Sequence, residues 1–544
     1  MNEGNSGEPA VPTETSLRSA PAAKRRGHGA VFNISLALTV CFAAGGLIWP
    51  DELGALAASV LTFSTKNFGW FYLLAANVFL AFCIYLIFSR HAHIRLGRDN
   101  EQPEFSYPSW LAMLFSAGMG IGLVFWGVAE PMFHFDSPPL GLAEPRSPEA
   151  ARIALRYSFF HWCLHPWAIY ALIALAIAYA QFRRGDSALI SATFRPLLGR
   201  RVDGPVGQTI DSLATLATVF GIATSLGLGT LQIAGGMNHL FGIKSTLGIQ
   251  IAIIVVVTVL FMLSAITGLN KGILYLSNLN MALAGALLLF VLLVGPTVFI
   301  LDAATTVLGG YLQNLVQMSF RLTPFTRDEW VGSWTLFYWA WWIAWAPFVG
   351  TFIARISRGR TIREFVIGVL LVPSALCALW FAAFGGSALF KDLFDGGAIA
   401  DAVKADVTSA LFVSLQQFPW GGFLGLLAGL LIVSFFVTSA DSATFVLGML
   451  TSKGNPNPPA TTKLIWGIVQ SAIAVALLMS GGLKGLQTAS IVVALPFAVI
   501  MLLMIVSLLK ALRAENPRPP LALLPQESES IQQADQAKSP TGTL

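Results

Sequence analysis

Charge is scarce in this sequence. Of 544 residues, only 11% are Asp, Glu, Lys or Arg, against about 25% in a soluble domain. With 55% hydrophobic residues and a mean hydropathy of +0.69, the chain is not a string of soluble domains but a polytopic membrane protein. The net charge of +5 calls for no nucleic-acid partner, because the basic residues sit between apolar stretches, where topology needs them. Cysteine is equally sparse: Cys41, Cys83, Cys163 and Cys377 all fall in apolar stretches, as small core residues rather than a disulfide framework. Residues 1–29 lack the apolar core of a cleaved signal and read as a disordered cytoplasmic tail, as do residues 514–544, rich in Pro, Gln and Ser. No phosphate-binding glycine loop, nucleophile elbow or zinc-ligand spacing occurs, so neither an enzyme nor a bound cofactor is expected.

What the sequence does have is apolar runs of about 20 residues, the length that crosses a bilayer as a helix. Twelve are predicted: 31–50, 69–90, 109–130, 157–181, 206–239, 247–267, 275–300, 333–352, 363–386, 421–449, 461–481 and 487–510. With twelve, Lys24–Arg26, Arg90–Arg98, Arg183–Arg201, Lys271, Arg355–Arg363, Lys453–Lys463 and Lys510–Arg513 all fall on one side. The opposite connections carry Asp51, Glu52, Asp136, Glu144, Asp328, Glu329, Lys391 and Asp392. The positive-inside rule then puts both termini in the cytoplasm. Residues 306–329 mix apolar and polar side chains and read as an amphipathic helix on the outer surface.

Three spans break the plain pattern. The third carries Gly118, Gly120 and Gly122. The fifth carries Gly221, Gly227 and Gly229. The tenth carries Thr438, Ser439 and Asp441. A single small pair in a span serves close helix packing, but three closely spaced glycines let a helix unwind and expose backbone carbonyls. In secondary transporters such unwound segments bind substrate and coupling ions near the midplane. Thr438 and Ser439 add hydroxyl oxygens of the kind a small cation prefers, although a span hydroxyl commonly bonds its own i−4 carbonyl. Spans 3–7 and 8–12 can be laid out as two five-span halves, 109–300 and 333–510. The unusual motifs then occupy the first and third span of each half, as an inverted repeat requires.

Five of the chain's 15 Trp lie between Trp334 and Gly350. Trp334, Tyr338, Trp341, Trp342 and Trp345 recur at helical spacing. An interfacial belt places one or two Trp at a helix end. A run through the span fits a cage for a quaternary ammonium better, because indole faces attract a cation that cannot donate hydrogen bonds. Ionisable residues near the spans are few. Glu130 and Asp211 read as caps or ion-pair partners, and Asp441 as support for the Thr438–Ser439 pair. His161 and His165, one turn apart, read as packing or hydrogen-bonding residues, not as a metal site.

The glycine run of the third span, the tryptophan run and the segment Thr438–Asp441 together resemble the betaine/carnitine/choline transporter family over residues 30–513. The resemblance implies twelve spans, a LeuT-like five-plus-five inverted repeat in spans 3–12, a homotrimer in a bacterial plasma membrane, and a quaternary-ammonium substrate. It places Trp162, Tyr170, Trp341, Trp342 and Trp345 around the substrate, with Met119 and Gly120. It also implies a sodium site at Ser116, Met119, Phe435, Thr438 and Ser439, and a second at Thr218 and Phe348. Ile222 stands where that second site has another threonine. Gly122 fits the sodium-coupled members, since proton-coupled ones tend to carry an acid there. The expectation is a sodium symporter importing glycine betaine or a similar compatible solute. The alternative is a proton-coupled or exchange carrier for choline, carnitine, ectoine or dimethylsulfoniopropionate. A channel has no need of a tryptophan cage.

Overall fold

Every long apolar run became a helix, and glycine and proline decide where the helices stop. The computed structural model describes residues 29–118, 120–267 and 270–515. Almost all of the two predicted tails, and Met119, lie outside them. The main helices in chain order are α1 (Ala30–Ile48), α2 (Pro50–Phe88), α3 (Tyr107–Gly118), α4 (Ile121–Asp136), α5 (Pro148–Trp162) and α6 (Leu164–Ala178). They continue with α7 (Arg195–Leu198), α8 (Pro205–Phe241), α9 (Leu247–Thr267), α10 (Asn270–Val294), α11 (Thr297–Ser319) and α12 (Phe337–Ile356). The last are α13 (Ile362–Phe394), α14 (Ile399–Ala405), α15 (Ala410–Gln416), α16 (Gly421–Thr451) and α17 (Ala460–Ala514).

Among the described residues, ten helical segments are long and apolar enough to cross a membrane. The broken pair α3–α4 supplies an eleventh span. The 55-residue α17 holds two, because Gly482 (φ 55°, ψ −131°) turns the backbone out of the helical region at 481–482, a conformation costly for a side chain with a Cβ. The protein is thus an all-helical, polytopic membrane protein with the twelve crossings expected.

Several boundaries differ from expectation, each for a local reason. α2 extends to 39 residues, starting at Pro50 with only Trp49 between it and α1, because proline at the first helical position has no N–H to lose. The fourth span begins at Pro148 under a Ser147 cap that accepts from the Ala150 N–H, and it breaks at Cys163. The seventh span ends at Val294 rather than 300, since Gly295 and Pro296 cannot extend it. The amphipathic helix is therefore α11, which starts earlier than expected and stops at Ser319. It carries exposed Val298, Leu301, Leu308, Leu312 and Val316, and it packs on α5 and α13. Cys83, Cys163 and Cys377 are buried as expected, but Cys41 is exposed. α17 runs to Ala514, the first residue of the predicted tail.

α12 lies against α6, α8 and α17, and its face from Phe337 to Ala344 is buried. Lipid gives no hydrophobic drive for two apolar helices to associate, so tight contact through small residues does that work. Gly350 is one such point: a methyl group there would lie 2.6 Å from Ile173 Cγ2 and 3.2 Å from the Ala174 nitrogen.

Candidate functional site

The tryptophan run and the fourth span meet around one cavity. Gly120, Gly122, Leu123, Trp162, Tyr170, Trp341, Trp342 and Trp345 line it, together with Pro166, Trp167 and Cys377. The space between these side chains, counted with the part that is open to solvent, is about 460 Å³. All five aromatic residues picked from the sequence are in its wall. Trp341 and Trp342 stack at 4.7 Å with planes 16° apart. Trp162 meets Trp342 edge-on at 4.8 Å, Tyr170 meets it at 6.2 Å, and Trp345 sits edge-on to Trp341 at 6.4 Å. Pro166 and Tyr170, four apart on α6, share a face, and Trp162 reaches the same wall from the end of α5, across the break at Cys163. Leu123, Pro166, Trp167 and Cys377 were missed. Cys377 had no signal of its own, being a small residue in an ordinary apolar run.

Hydrogen bonds fix the walls. The Trp342 indole donates to the His161 carbonyl at 3.0 Å, and Trp345 donates to the Gly221 carbonyl at 2.7 Å. Trp162 donates to Glu130 Oε2 at 2.8 Å. Glu130 is fully buried and also accepts from Tyr338 Oη at 2.5 Å, while His161 Nδ1 lies 2.7 Å from its other oxygen. Read from the sequence as a cap or ion-pair partner, Glu130 lies fully buried among these side chains. Asp211 is likewise structural: it accepts from the N–H and hydroxyl of Ser191. His165 stacks on Trp339 at 5.1 Å and bonds Asn77 and Ser319, so packing describes it. Trp334 faces away from the cavity, packed on His134 and Phe133.

The third span is broken where its glycines predicted. Helix ends leave backbone N–H groups unbonded at the start of α4, and Gly120, which caps α4 without a side-chain bond, lies in the cavity wall. Its φ of −163° and ψ of −178° are extended values open to any residue, and a methyl group there meets nothing within 4 Å. The expected need for a glycine-only φ is therefore not met at Gly120. The glycine that the site cannot replace is Gly122, where a Cβ would lie 2.6 Å from Trp341 Cη2 and 3.3 Å from Trp162 Cη2.

Of the oxygens expected around sodium, Phe435 and Thr438 are buried and Ser116 and Ser439 partly so; Met119 lies outside the described residues. Thr438 Oγ1 donates to the Ser434 and Phe435 carbonyls and accepts from Asn280 Nδ2 at 3.1 Å. Asn280 of α10 was not foreseen. Its Oδ1 is buried with no partner, so the group beside Thr438 has a spare carbonyl oxygen. Thr218 donates to the Ala214 carbonyl at 2.8 Å, and Phe348 packs on Trp345 at 5.6 Å. α8 and α12 touch at Gly221 and Ala344; Thr218 and Phe348 each lie about one turn from that contact. Ile222 is buried beside it and brings no oxygen.

A family model described as the betaine/carnitine/choline family transporter matches residues 30–517. The chain is 54% identical to the glycine betaine transporter OpuD of Bacillus subtilis, over 94% of this chain and 98% of that protein. It is 48% identical to an ectoine/hydroxyectoine transporter of Virgibacillus pantothenticus, over 89% and 96%. It is 42% identical to glycine betaine transporter 1 of Vibrio parahaemolyticus, over 90% and 94%.

Proposed function

The chain belongs to the betaine/carnitine/choline family of transporters, and on that premise we propose that it imports glycine betaine or a close analogue by sodium symport. It is a membrane carrier of betaine-type solutes and not an enzyme. The observation that supports the finer reading is the cavity walled by Trp162, Tyr170, Trp341, Trp342 and Trp345, with the start of α4 in the same wall. Indole faces stabilise a trimethylammonium head by about 0.5–2 kcal/mol each once water is excluded. The unbonded N–H groups at the start of α4 suit the carboxylate of the same molecule. One zwitterion thus finds both its charges met.

Sodium is the coupling ion in this reading. Ser116, Met119, Phe435, Thr438 and Ser439 would supply carbonyl and hydroxyl oxygens, a hard donor set suited to a hard cation. Thr218 and Phe348 would form a second site that lacks one hydroxyl, because Ile222 brings none. The carrier would be a homotrimer in the plasma membrane of a bacterium, with both termini inside and spans 3–12 forming the inverted repeat. An ectoine-type substrate is the second reading, favoured by the 48% identity to an ectoine/hydroxyectoine transporter. A proton-coupled or exchange carrier for choline, carnitine or dimethylsulfoniopropionate is the remaining alternative.

Uptake of labelled glycine betaine and ectoine into proteoliposomes, with sodium and proton gradients imposed separately, tests the proposal. Uptake that needs an inward sodium gradient and is competed best by glycine betaine is the expected result. Equal uptake in potassium buffer under a proton gradient alone rejects sodium coupling.

A further inference from the structure

Among the described residues, the wall of the cavity that would receive a cation carries no charge. Its wall is made of glycine, leucine, proline, cysteine, tyrosine and tryptophan. A permanent cation there would have no counter-ion within the wall itself. The indoles of that wall differ, however, in what their N–H groups meet. Trp342 and Trp345 donate to neutral backbone carbonyls, of His161 and Gly221. Trp162 donates to the carboxylate of Glu130 at 2.8 Å. A backbone carbonyl would satisfy an indole N–H just as well, and burying a carboxylate is costly unless its lone pairs are filled.

Both of its oxygens are bonded here. Glu130 Oε2 accepts from Trp162 and from Tyr338 Oη, 2.5 Å away. Oε1 lies 2.7 Å from His161 Nδ1 and 3.5 Å from His134 Nε2. An indole can only donate, and an ionised carboxylate can only accept, so this set of partners fits the charged form. Tyr338 in turn stacks on Trp342 at 5.8 Å with planes 21° apart. Glu130 thus holds one wall of the cavity directly and braces the stack behind a second.

We propose that Glu130 is the counter-charge and the positioning residue of the cavity, selecting a permanently cationic head over a neutral head of the same shape. The proposal rests on the reading of this cavity as a quaternary-ammonium site. The physical route has two parts. A hydrogen bond from the indole N–H to an anion pushes electron density into the ring and strengthens the attraction of its face for a cation. The negative charge, one ring away in a medium of low dielectric, adds a direct attraction that bulk water would have screened. Both parts vanish for an uncharged head, whereas the hydrogen bonds that fix Trp162 serve any ligand of that shape.

That difference makes the test. Glycine betaine and 3,3-dimethylbutanoate share one shape and one carboxylate, and differ by a quaternary nitrogen against a quaternary carbon. Their dissociation constants are to be measured on the purified parent protein and on E130Q, E130D and H161Q. Glu130→Gln keeps an acceptor oxygen for Trp162 and Tyr338 and removes the charge. The expected result is a roughly five- to tenfold loss of glycine betaine affinity with 3,3-dimethylbutanoate changed less than about twofold. Glu130→Asp retains most of the preference. His161→Gln exchanges an imidazole that can carry a proton for an amide that cannot, so the preference holds or rises, and this arm needs no folded E130Q. A loss shared equally by both ligands in E130Q, a preference that survives intact there, or one that collapses in H161Q or E130D overturns the proposal. A parent protein that binds both ligands alike would instead reject the reading of the cavity itself.

Discussion

The indole N–H of Trp345 donates to the backbone carbonyl of Gly221 across 2.7 Å, and a Cβ on that glycine would lie 2.7 Å from Trp345 Cδ1. The bond and the close approach lock the end of the tryptophan run to α8. Gly221→Ala would have to move backbone as well as ring, because Ala344 C is only 3.0 Å from the same point. We expect it to fold with a loss of about 1–3 kcal/mol and to weaken substrate binding. Trp345→Leu and Trp342→Leu keep apolar bulk but lose the indole face, worth about 1–2 kcal/mol per desolvated cation contact. Apparent affinity should fall roughly five- to thirtyfold. Titration of substrate against purified variants checks this, and unchanged affinity in both Trp variants rules out the cage.

Two neighbouring glycines should behave in opposite ways. Gly120→Ala meets open space at extended backbone angles, so the protein should fold and bind as before. Ala is favoured over Gly by about 1 kcal/mol in a continuous helix, so any fall should appear in the maximal transport rate of states in which the break closes. Gly122→Ala drives a methyl group against Trp341 and Trp162 and should cost at least tenfold in affinity, as about 1.4 kcal/mol does. Binding and uptake measured side by side separate them. Equal behaviour would show that the break and the cage do not lie where these contacts put them.

For the coupling ion, Thr438→Ala removes the hydroxyl that Asn280 touches, and Ser439→Ala removes its neighbour. Both should raise the sodium concentration for half-maximal uptake while leaving helix propensity little changed. Asn280→Ala should raise it too, if its unpartnered oxygen turns toward the ion. Sodium activation curves that superimpose on the parent's in all three variants would place the site elsewhere.

Just past the end of α17, Glu515 bonds both Arg183 and Tyr179 at 2.7–2.9 Å. Partial burial pushes its carboxyl up, but the Arg183 guanidinium and Tyr179 hydroxyl outweigh that and hold it below the usual value. A carboxylate lowered on folding stabilises above its unfolded value, about 4.3, and that contribution is lost as pH falls through the folded value. Glu515→Gln should therefore cost about 1 kcal/mol at pH 7. The gap in unfolding temperature from the parent should narrow below about pH 4. A gap that widens on acidification would contradict the sign.

Much of this molecule is visible in its sequence because membranes leave few choices. Apolar length forces helices, and proline or glycine ends them. The cage was legible because Trp341, Trp342 and Trp345 are close neighbours on one helix, and Trp162 and Tyr170 are eight apart in one span, a reading that survives the break at Cys163 between them. Glu130 was read as a cap or ion-pair partner and not as part of the cavity, because its partners His161, Trp162 and Tyr338 come from two other spans, up to 208 positions away. No local spacing marks such a convergence. Asn280 stayed hidden for the same reason. The length of α2 was missed because Asp51, Glu52 and Lys66 interrupt the apolar run, yet Asp51 and Glu52 lie in the first turn, where acids suit the helix dipole, and Lys66 is exposed.

That helix has a mechanical consequence. Its 39 residues make a rod of about 58 Å, while the hydrocarbon layer is about 30 Å thick. Such a rod cannot stand upright within the layer, and must either lean or project beyond it. Its outward face carries exposed Leu56, Phe63, Trp70, Leu74 and Val78, apolar side chains suited to lipid. Tyr72 on its inward face donates to the Ile491 carbonyl at 2.5 Å, in the second half of α17. Thickness of the surrounding bilayer and the set of α17 are thereby joined through one lever. Mismatch costs fractions of a kcal/mol per Å, so reconstitution into lipids of graded chain length would tilt that lever by degrees, and the turnover rate should follow.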